Sequence, residues 1–238
     1  MTVSDSSPQT ITALQALSPL DGRYASRLAP LKDLFSEFGL IKQRVEIEVR
    51  WLEQLARTPQ IPEVPPLTDD AYAFLDHIVA DFSVTDAEQV KAIESKTNHD
   101  VKAVEYFLKA AVSGKPELQE VSEFIHFACT SEDINNLSYA LMLKEGIATE
   151  WIPSAESLVD GVVSLARDHA DTALLARTHG QPATPTPLGK KMAVFVHRWR
   201  RQLKQIENAE FLGKFNGAVG AHNAHAVAYP DAPWHDIS

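Results

Sequence analysis

The chain has 238 residues, of which 45% are hydrophobic and 23% are charged, and its formal net charge at pH 7 is -10. This hydrophobic fraction can bury a sizeable core, which excludes a disordered tail, and the acidic balance argues against a general affinity for nucleic acid or anionic membranes. Cys129 is the single cysteine, which excludes an internal disulfide and fits a reducing compartment.

The first residues do not have the pattern of a secretory signal. The segment from Met1 to Thr12 is polar and lacks a basic start followed by an apolar run, so we do not predict a secretory signal. No apolar stretch of the sequence approaches the length that is needed to span a bilayer. We therefore predict a cytoplasmic protein with neither a membrane nor a nucleic-acid partner.

The pattern of the first 115 residues is helical. From Phe38 to Ala56 the apolar residues recur at steps of three and four, which predicts one buried face of a long amphipathic helix. Four prolines between residues 59 and 66 predict its end and a stiff connector. Apolar residues over 74–82 predict a second helix, and Thr85-Asp86-Ala87-Glu88 has the spacing of a capping box at the start of a third.

Later parts of the chain continue the helical pattern. Gly114 and Pro116 predict the clearest domain break, and Thr130-Ser131-Glu132-Asp133 resembles an N-cap before a longer helix. Two heptad-like seams follow, over residues 155–169 and 188–206. The first contains Ala155, Leu158, Val162, Leu165 and His169, and the second contains Leu188, Met192, Phe195, Trp199, Leu203 and Ile206.

Paired seams of this kind predict antiparallel helices in a bundle. The only β-like alternation is too short to predict a strand, and no series of βαβ units is present. We therefore predict an all-α fold. Its expected parts are a polar N-terminal tail over residues 1–17, an N-terminal helical domain over residues 18–115, and the first long helices of an incomplete central bundle over residues 116–238.

Several standard site motifs are missing from the sequence. It contains no Gly-x-Ser-x-Gly, no Walker loop and no His-Glu-x-x-His. The glycines over residues 213–220 lack the spacing of a dinucleotide loop and predict a turn. His222 and His225 could ligate a metal on a helix, but two ligands without a third favour a solvated pair.

Four polar segments at helix breaks remain as candidate sites: residues 21–24, 97–100, 130–136 and 177–183. His179 lies in the last, in a loop rich in glycine and proline, where an imidazole suits general acid or base chemistry near neutral pH. The helix starts near Asn98 and Thr130 could each hold an anion. Taken singly, each segment is explained as well by a cap, a surface charge or a turn.

Taken together and in this order, the four segments resemble the adenylosuccinate lyase family of the fumarase/aspartase superfamily. The bacterial form of that family begins with a motif that matches Ser18-Pro19-Leu20-Asp21-Gly22-Arg23-Tyr24. Further matching stretches are residues 48–52, 102–108 and 213–220. The resemblance runs from Ser18 to the end of the chain and implies an all-helical fold.

The resemblance also implies roles for matching positions. His179 matches the family's general acid. The implied substrate contacts are Arg23, Tyr24, Asn98, His99, Asp100, Thr130, Ser131, Thr178 and Gln181. The first five are implied to contact a purine nucleotide, especially its phosphate and ribose, and Thr130 and Ser131 the succinyl end. These types fit that chemistry, because an arginine fork suits phosphate and hydroxyls beside a helix dipole suit carboxylate.

The implied reaction is an anti-elimination that releases fumarate, from adenylosuccinate to AMP and from SAICAR to AICAR, in purine nucleotide biosynthesis. No cofactor and no catalytic metal are implied. The family is a homotetramer whose active sites combine residues of several chains. Its catalytic serine loop, Ser-Ser-x-Met-Pro-x-Lys-x-Asn-Pro, is absent from this sequence. We therefore expect the N-terminal part of a lyase, inactive by itself.

Two alternatives stay open at this point. Another fumarate-releasing lyase of the superfamily, such as argininosuccinate lyase, would share the fold, although Arg23-Tyr24 and residues 98–100 fit a nucleotide better. A catalytically silent helical fragment or interaction module is favoured by the missing serine loop. The presence of all four upstream segments argues against that reading for the parent protein.

Overall fold

The computed structural model describes residues 16–238, and it is predominantly helical. The helices are α1 (Ala29–Phe35), α2 (Glu37–Ala56), α3 (Asp69–Ala80), α4 (Val84–Thr97), α5 (Asp100–Val112), α6 (Pro116–Glu120), α7 (Ser131–Gly146), α8 (Ile152–Asp168), α9 (Leu188–Glu207), α10 (Asn223–Ala228) and α11 (Trp234–Ile237). One antiparallel hairpin, β1 (Ala173–Thr178) with β2 (Gln181–Pro187), separates α8 from α9. The predicted all-α class is confirmed, with this hairpin as an addition.

The described residues form two compact units. The first contains residues 16–138 and 215–238, and the second contains residues 139–214. The predicted boundary near residue 115 lies inside the first unit, so the compact units are not divided there. The proposed division into an N-terminal domain and an incomplete bundle stays a prediction. Most of the predicted polar tail, residues 1–15, lies outside the described residues.

Helix α2 is the central helix of the first unit, as its apolar periodicity predicts. Its side chains at Val45, Leu52 and Leu55 are fully buried, and the helix packs against α3, α4 and α5. Ser36 caps its start, where the hydroxyl accepts a hydrogen bond from the Gly39 N–H at 3.3 Å. The same helix also buries charged side chains, and these charges organise the candidate site described below.

The capping box of α4 lies two residues earlier than predicted. Ser83 is the N-cap. Its hydroxyl accepts a hydrogen bond from the Asp86 N–H at 3.4 Å, and the Asp86 carboxylate accepts one from the Ser83 N–H at 2.9 Å. The prediction of a box at Thr85 was wrong because Thr85 already lies within the helix. Ser83 instead has the extended backbone, with φ -116° and ψ 169°, that an N-cap requires.

The second unit pairs α8 with α9 in antiparallel directions, as predicted. Val159 of α8 is buried together with Val196 and Leu203 of α9. The predicted seam on α8 is correct in part, because Ala155 and Val162 pack against this cluster, whereas Leu158 and Leu165 are 59% and 47% exposed. Apolar residues occupy two neighbouring faces of α8, so the spacing of three and four could not identify the face that α9 covers.

The close approach of α8 and α9 gives a first prediction. We expect Gly189→Ala to lower the free energy of unfolding by about 1–3 kcal/mol. The added Cβ would overlap the carbonyl oxygen of Ala166 and would lie 3.0 Å from the backbone nitrogen of Ala170. Urea denaturation followed by far-ultraviolet circular dichroism measures the change.

Gly161→Ala is the matched control within α8. A Cβ at this position would meet nothing within 4 Å, and alanine is a better helix former than glycine. We therefore expect this change to raise the free energy of unfolding by about 0.5–1 kcal/mol. Equal effects of the two substitutions would contradict the close packing at Gly189.

No helix in the described part of the chain is both long enough and apolar enough to cross a bilayer.

Candidate functional site

Arg23 and Tyr24 lie at the start of the first unit, in a turn before a short 3-10 helix over Ala25–Arg27. The turn is held by a hydrogen bond from the Tyr24 N–H to the carbonyl of Pro19 at 2.9 Å. Both side chains are exposed, and the Arg23 guanidinium lies 5.5 Å from the centre of the Tyr24 ring. The pair therefore offers a cation and an aromatic face to solvent.

Residues 98–100 form the junction between α4 and α5. Asn98 ends α4 in the left-handed conformation, with φ 52°. His99 is the N-cap of α5, and its Nδ1 accepts a hydrogen bond from the Lys102 N–H at 3.1 Å. Because that bond uses the lone pair of Nδ1, the neutral ring carries its proton on Nε2, where it can donate to a ligand.

Arg44 connects this junction to the start of α7. Its side chain is 7% exposed, Nη2 lies 2.6 Å from Oδ2 of Asp100, and Nε donates to Oδ1 of Asn135 at 2.9 Å. Burial disfavours the charged form of Asp100. The Val101 N–H and the Arg44 guanidinium outweigh that effect and lower the pKa of Asp100 below its ordinary value. Arg44 thus brings two of the predicted segments together.

A second pair of charged or titratable side chains lies one turn further along α2. Oε1 of Glu48, which is fully buried, is 2.5 Å from Nδ1 of His126. Burial raises the pKa of Glu48. Burial alone would lower the pKa of His126, but the hydrogen bond and charge of Glu48 raise it above its ordinary value. His126 has φ 63° and Ala128 has φ 59°, so the pair fixes a loop with an unusual backbone just before Thr130.

Sequence reasoning missed Arg44, Glu48 and His126 as site residues. A signal was nevertheless present, since Arg44 and Glu48 share the face of α2 that carries Ile41, Val45 and Leu52. Charged residues on a buried helical face need partners. Periodicity alone does not say which distant residues those partners are.

The Glu48–His126 pair predicts how stability depends on pH. The folded chain binds protons at both groups more tightly than the unfolded chain, because both pKa values are raised above the ordinary 4.5 and 6.5. The His126 contribution is complete below pH 6.5 and is lost as the pH rises through the raised pKa, and Glu48 acts in the same direction above pH 4.5. We therefore expect the free energy of unfolding to fall with rising pH across this range.

Urea unfolding at a series of pH values measures this dependence. His126→Gln removes the titrating imidazole and should flatten the part of the slope above pH 6.5 that His126 contributes, whereas His77→Gln, which changes an exposed histidine of α3, should leave the slope unchanged. A slope that is equal in the parent and in His126→Gln would contradict the assignment.

Thr130 and Ser131 lie where α7 begins and are half-buried. The buried carboxylate of Asp133 accepts a hydrogen bond from the Thr130 N–H at 2.9 Å. It also accepts bonds from the N–H groups of Asn216 and Gly217, at 3.1 to 3.3 Å. The predicted turn over residues 213–220 is therefore joined to the candidate anion-binding end of α7.

His179 lies at the tip of the hairpin in the second unit. His179 and Gly180 form a two-residue turn with φ 51° and 77°, flanked by the partners Thr178 and Gln181. All four residues are exposed. Positive φ at both central positions is typical of a type I′ hairpin turn. The prediction of a plain loop was wrong. It relied on the prolines of β2, which normally argue against a strand, but both strands of a two-stranded sheet are edge strands, and edge strands tolerate proline.

The predicted solvated pair of His222 and His225 is wrong for His225. This residue is fully buried, and its ring centre lies 4.9 Å from that of Trp234 and 6.0 Å from that of Trp51. Burial lowers its pKa. Across residues 16–238, no group of three or more His, Cys, Asp or Glu side chains is placed to hold a metal ion.

The sequence matches known lyases over nearly its whole length. A profile of the family described as Lyase matches residues 22–238. The adenylosuccinate lyase of Haemophilus influenzae is 57% identical over 228 residues, which cover 96% of this chain and 50% of the relative. That of Escherichia coli K12 is 55% identical with the same coverage, and that of Legionella pneumophila strain Corby is 48% identical, covering 94% and 49%. The chain thus spans about half the length of these curated relatives.

Solved structures agree on the fold. A fumarate lyase from Mesorhizobium sp. BNC1 superposes with a TM-score of 0.66 at 25% identity, covering 85% of this chain and 45% of that chain. A β-carboxy-cis,cis-muconate cycloisomerase from Acinetobacter calcoaceticus sp. ADP1 superposes with a TM-score of 0.64 at 19% identity, covering 88% and 46%. The second likeness concerns the fold alone.

Proposed function

Because the chain belongs to the lyase family whose profile matches residues 22–238, we propose that the protein carrying it is an adenylosuccinate lyase. The observation that carries the proposal is the 57% identity, over 96% of the chain, to a relative of that name. The reaction would be the elimination of fumarate from adenylosuccinate, with AMP as the second product.

The chemistry of the described residues supports a nucleotide-dicarboxylate substrate. Arg23 offers an exposed guanidinium to a phosphate, and His99 has its Nε2–H available as a donor. Thr130 and Ser131 place hydroxyls at the N-terminus of the 16-residue helix α7, where the dipole favours a carboxylate. We propose that these groups, with Tyr24, Asn98 and Asp100, bind the substrate.

In the proposed mechanism a base removes a proton from the carbon next to a carboxylate. The charge of the resulting intermediate is stabilised by the donors at Thr130 and Ser131. The electron pair then forms the carbon–carbon double bond of fumarate as the carbon–nitrogen bond breaks. The departing nitrogen takes a proton from the His179 imidazolium, with Thr178 and Gln181 beside it. The base is a serine by resemblance, and its loop is not in this sequence.

Finer features of the proposal follow from the same resemblance. They include the parallel cleavage of SAICAR to AICAR in purine biosynthesis, a cytoplasmic homotetramer, and the absence of activity in this chain alone. The acidic composition and single cysteine support the cytoplasm. The half-exposed Leu158, Leu165 and Phe195 of α8 and α9 support a further helical partner on the second unit.

A hybrid enzyme tests the proposal. Residues 1–238 would be fused to the remaining half of the Escherichia coli relative, and fumarate release from adenylosuccinate would be assayed beside the chain alone. We expect turnover by the hybrid, none by the chain alone, and a loss of about 10²–10⁴-fold in kcat on His179→Ala. His197→Ala, which changes an exposed histidine of α9, is the control.

The outcomes separate the alternatives. A folded hybrid that is silent on adenylosuccinate but active on argininosuccinate would support a different lyase of the superfamily. A folded hybrid that is silent on both would favour a helical interaction module. Robust turnover by the chain alone would overturn the proposal that it lacks the base.

A further inference from the structure

We propose that Asp133 is a positioning residue, whose carboxylate joins the loop over residues 213–220 to the Thr130–Ser131 end of α7 and so places the hydroxyls that bind the succinyl part of the substrate. The kinetic part of this inference rests on the proposed function. The structural part does not, and each part has its own measurement.

The bonds of Asp133 exceed what a helix cap requires. A capping residue in the third helical position needs only the bond to the N-cap N–H, which Asp133 makes to Thr130 at 2.9 Å. Oδ1 and Oδ2 both lie within 3.3 Å of the Gly217 N–H, and Oδ1 also accepts from the Asn216 N–H. These contacts join parts of the chain that are 83 and 84 residues apart in sequence.

Burial makes this arrangement specific for a carboxylate. The Asp133 side chain is 0% exposed, and burying a charge is costly unless hydrogen bonds compensate for the lost water. Three backbone N–H groups and the start of α7 supply that compensation. An asparagine would replace one acceptor oxygen by an NH₂ group, which would face a backbone N–H and lose that bond.

The loop is built to present its N–H groups. Gly217 has φ 83°, a conformation that side chains other than glycine rarely adopt. The two successive N–H groups of Asn216 and Gly217 converge on Oδ1, as in backbone nests that bind anions. Asn216 also donates from its side-chain Nδ2 to the Gly220 carbonyl at 3.3 Å, which closes the loop on itself.

The chain offers a close control at Asp86. This residue also occupies the third helical position, in α4, and its carboxylate also accepts a hydrogen bond from the N–H of its N-cap, Ser83, at 2.9 Å, but it is exposed. Asp86→Asn therefore makes the same carboxylate-to-amide change at a position where the side chain only caps a helix. If Asp133 were only a cap, Asp133→Asn and Asp86→Asn would behave alike.

Hydrogen exchange of the full chain tests the connection directly. We expect Asp133→Asn to accelerate exchange in the peptide over residues 215–220 by at least about tenfold, because the loop loses a hydrogen bond to the carboxylate. A tenfold change corresponds to about 1.4 kcal/mol at 25 °C. Asp86→Asn should leave that peptide unchanged. Unchanged exchange in Asp133→Asn would overturn the proposal.

Kinetics of the hybrid enzyme test the consequence for substrate. We expect Asp133→Asn to lower kcat/KM for adenylosuccinate by about 10–100-fold, with a higher KM and a lower kcat, because the affected hydroxyls bind the substrate's carboxylate end and also stabilise the charge of the intermediate. Accelerated exchange with unchanged KM and kcat would overturn the positioning role. If the unaltered hybrid does not cleave adenylosuccinate, the proposed function fails, and the exchange measurement still decides whether Asp133 joins the two segments.

Gly217→Ala supplies a second variant in case Asp133→Asn does not fold. It leaves the buried charge in place and disturbs the loop through its positive φ, while the added Cβ meets the His225 ring only at 4.0 Å. We expect a smaller change of the same kind, with faster exchange over residues 215–220 and a higher KM. If Gly217→Ala changed neither the exchange nor the KM, the proposed role of the loop would be contradicted.

Discussion

Trp51→Ala is expected to lower the free energy of unfolding by about 3–5 kcal/mol, the largest effect that we predict for a single substitution in this chain. Trp51 is buried on α2, and its ring centre lies 4.3 Å from that of Phe215 and 6.3 Å from that of Trp234. Its Nε1–H donates to the Phe127 carbonyl at 2.9 Å. The substitution would therefore open a cavity and leave the Phe127 carbonyl with only the weaker thiol donor of Cys129, at 3.3 Å.

Trp51→Phe separates the two contributions. It keeps an aromatic ring beside Phe215 but removes the indole donor, so we expect a loss of about 1–2 kcal/mol from the lost hydrogen bond and the smaller ring. Urea denaturation monitored by circular dichroism measures both variants. A loss below 1 kcal/mol for Trp51→Ala would mean that residues 215–238 do not pack on α2 as described.

Arg44→Ala is expected to lower the free energy of unfolding by about 2–3 kcal/mol. The substitution removes a buried guanidinium that satisfies both Asp100 and Asn135. Removing one partner of a buried ion pair costs about 3–5 kcal/mol. Asp100 is 47% exposed on its side chain, so water compensates for part of the loss and the expected value is smaller.

Arg44→Lys is the matched control. It keeps the positive charge, but the single ammonium group of lysine cannot reproduce the forked guanidinium, which reaches two acceptors at once. For Arg44→Lys we expect the free energy of unfolding to fall by less than in Arg44→Ala. In Arg44→Ala, an NMR titration should show the pKa of Asp100 rising towards its ordinary value. An unchanged Asp100 titration would show that the Val101 N–H alone lowers that pKa.

Local sequence signals predicted much of the secondary structure. The apolar repeat of α2, the polar break at residues 97–100 and the start of α7 at Ser131 all appear where the pattern predicts them. These features depend on backbone hydrogen bonds and side chains within a few residues, which are present in the sequence itself. The four polar segments were recognisable for the same reason.

Tertiary packing decided which of several local possibilities was used. On α8 it is α9 that selects Val159 over Leu158 for burial. The hairpin around His179 depends on pairing between two strands that each look unfavourable alone. Such choices are made by contacts between segments, so periodicity within one segment cannot make them.

The helical class, the positions of the polar segments and the resemblance to a lyase family could all be predicted from the amino-acid sequence. The way those segments are held became visible in the folded chain, where Arg44 lies between Asp100 and Asn135, Glu48 against His126, and Asp133 between Thr130 and Gly217. The physical reason is burial. A charged group removed from water must find partners wherever the chain brings them, and apart from Thr130 those partners lie 56 to 91 residues away along the chain.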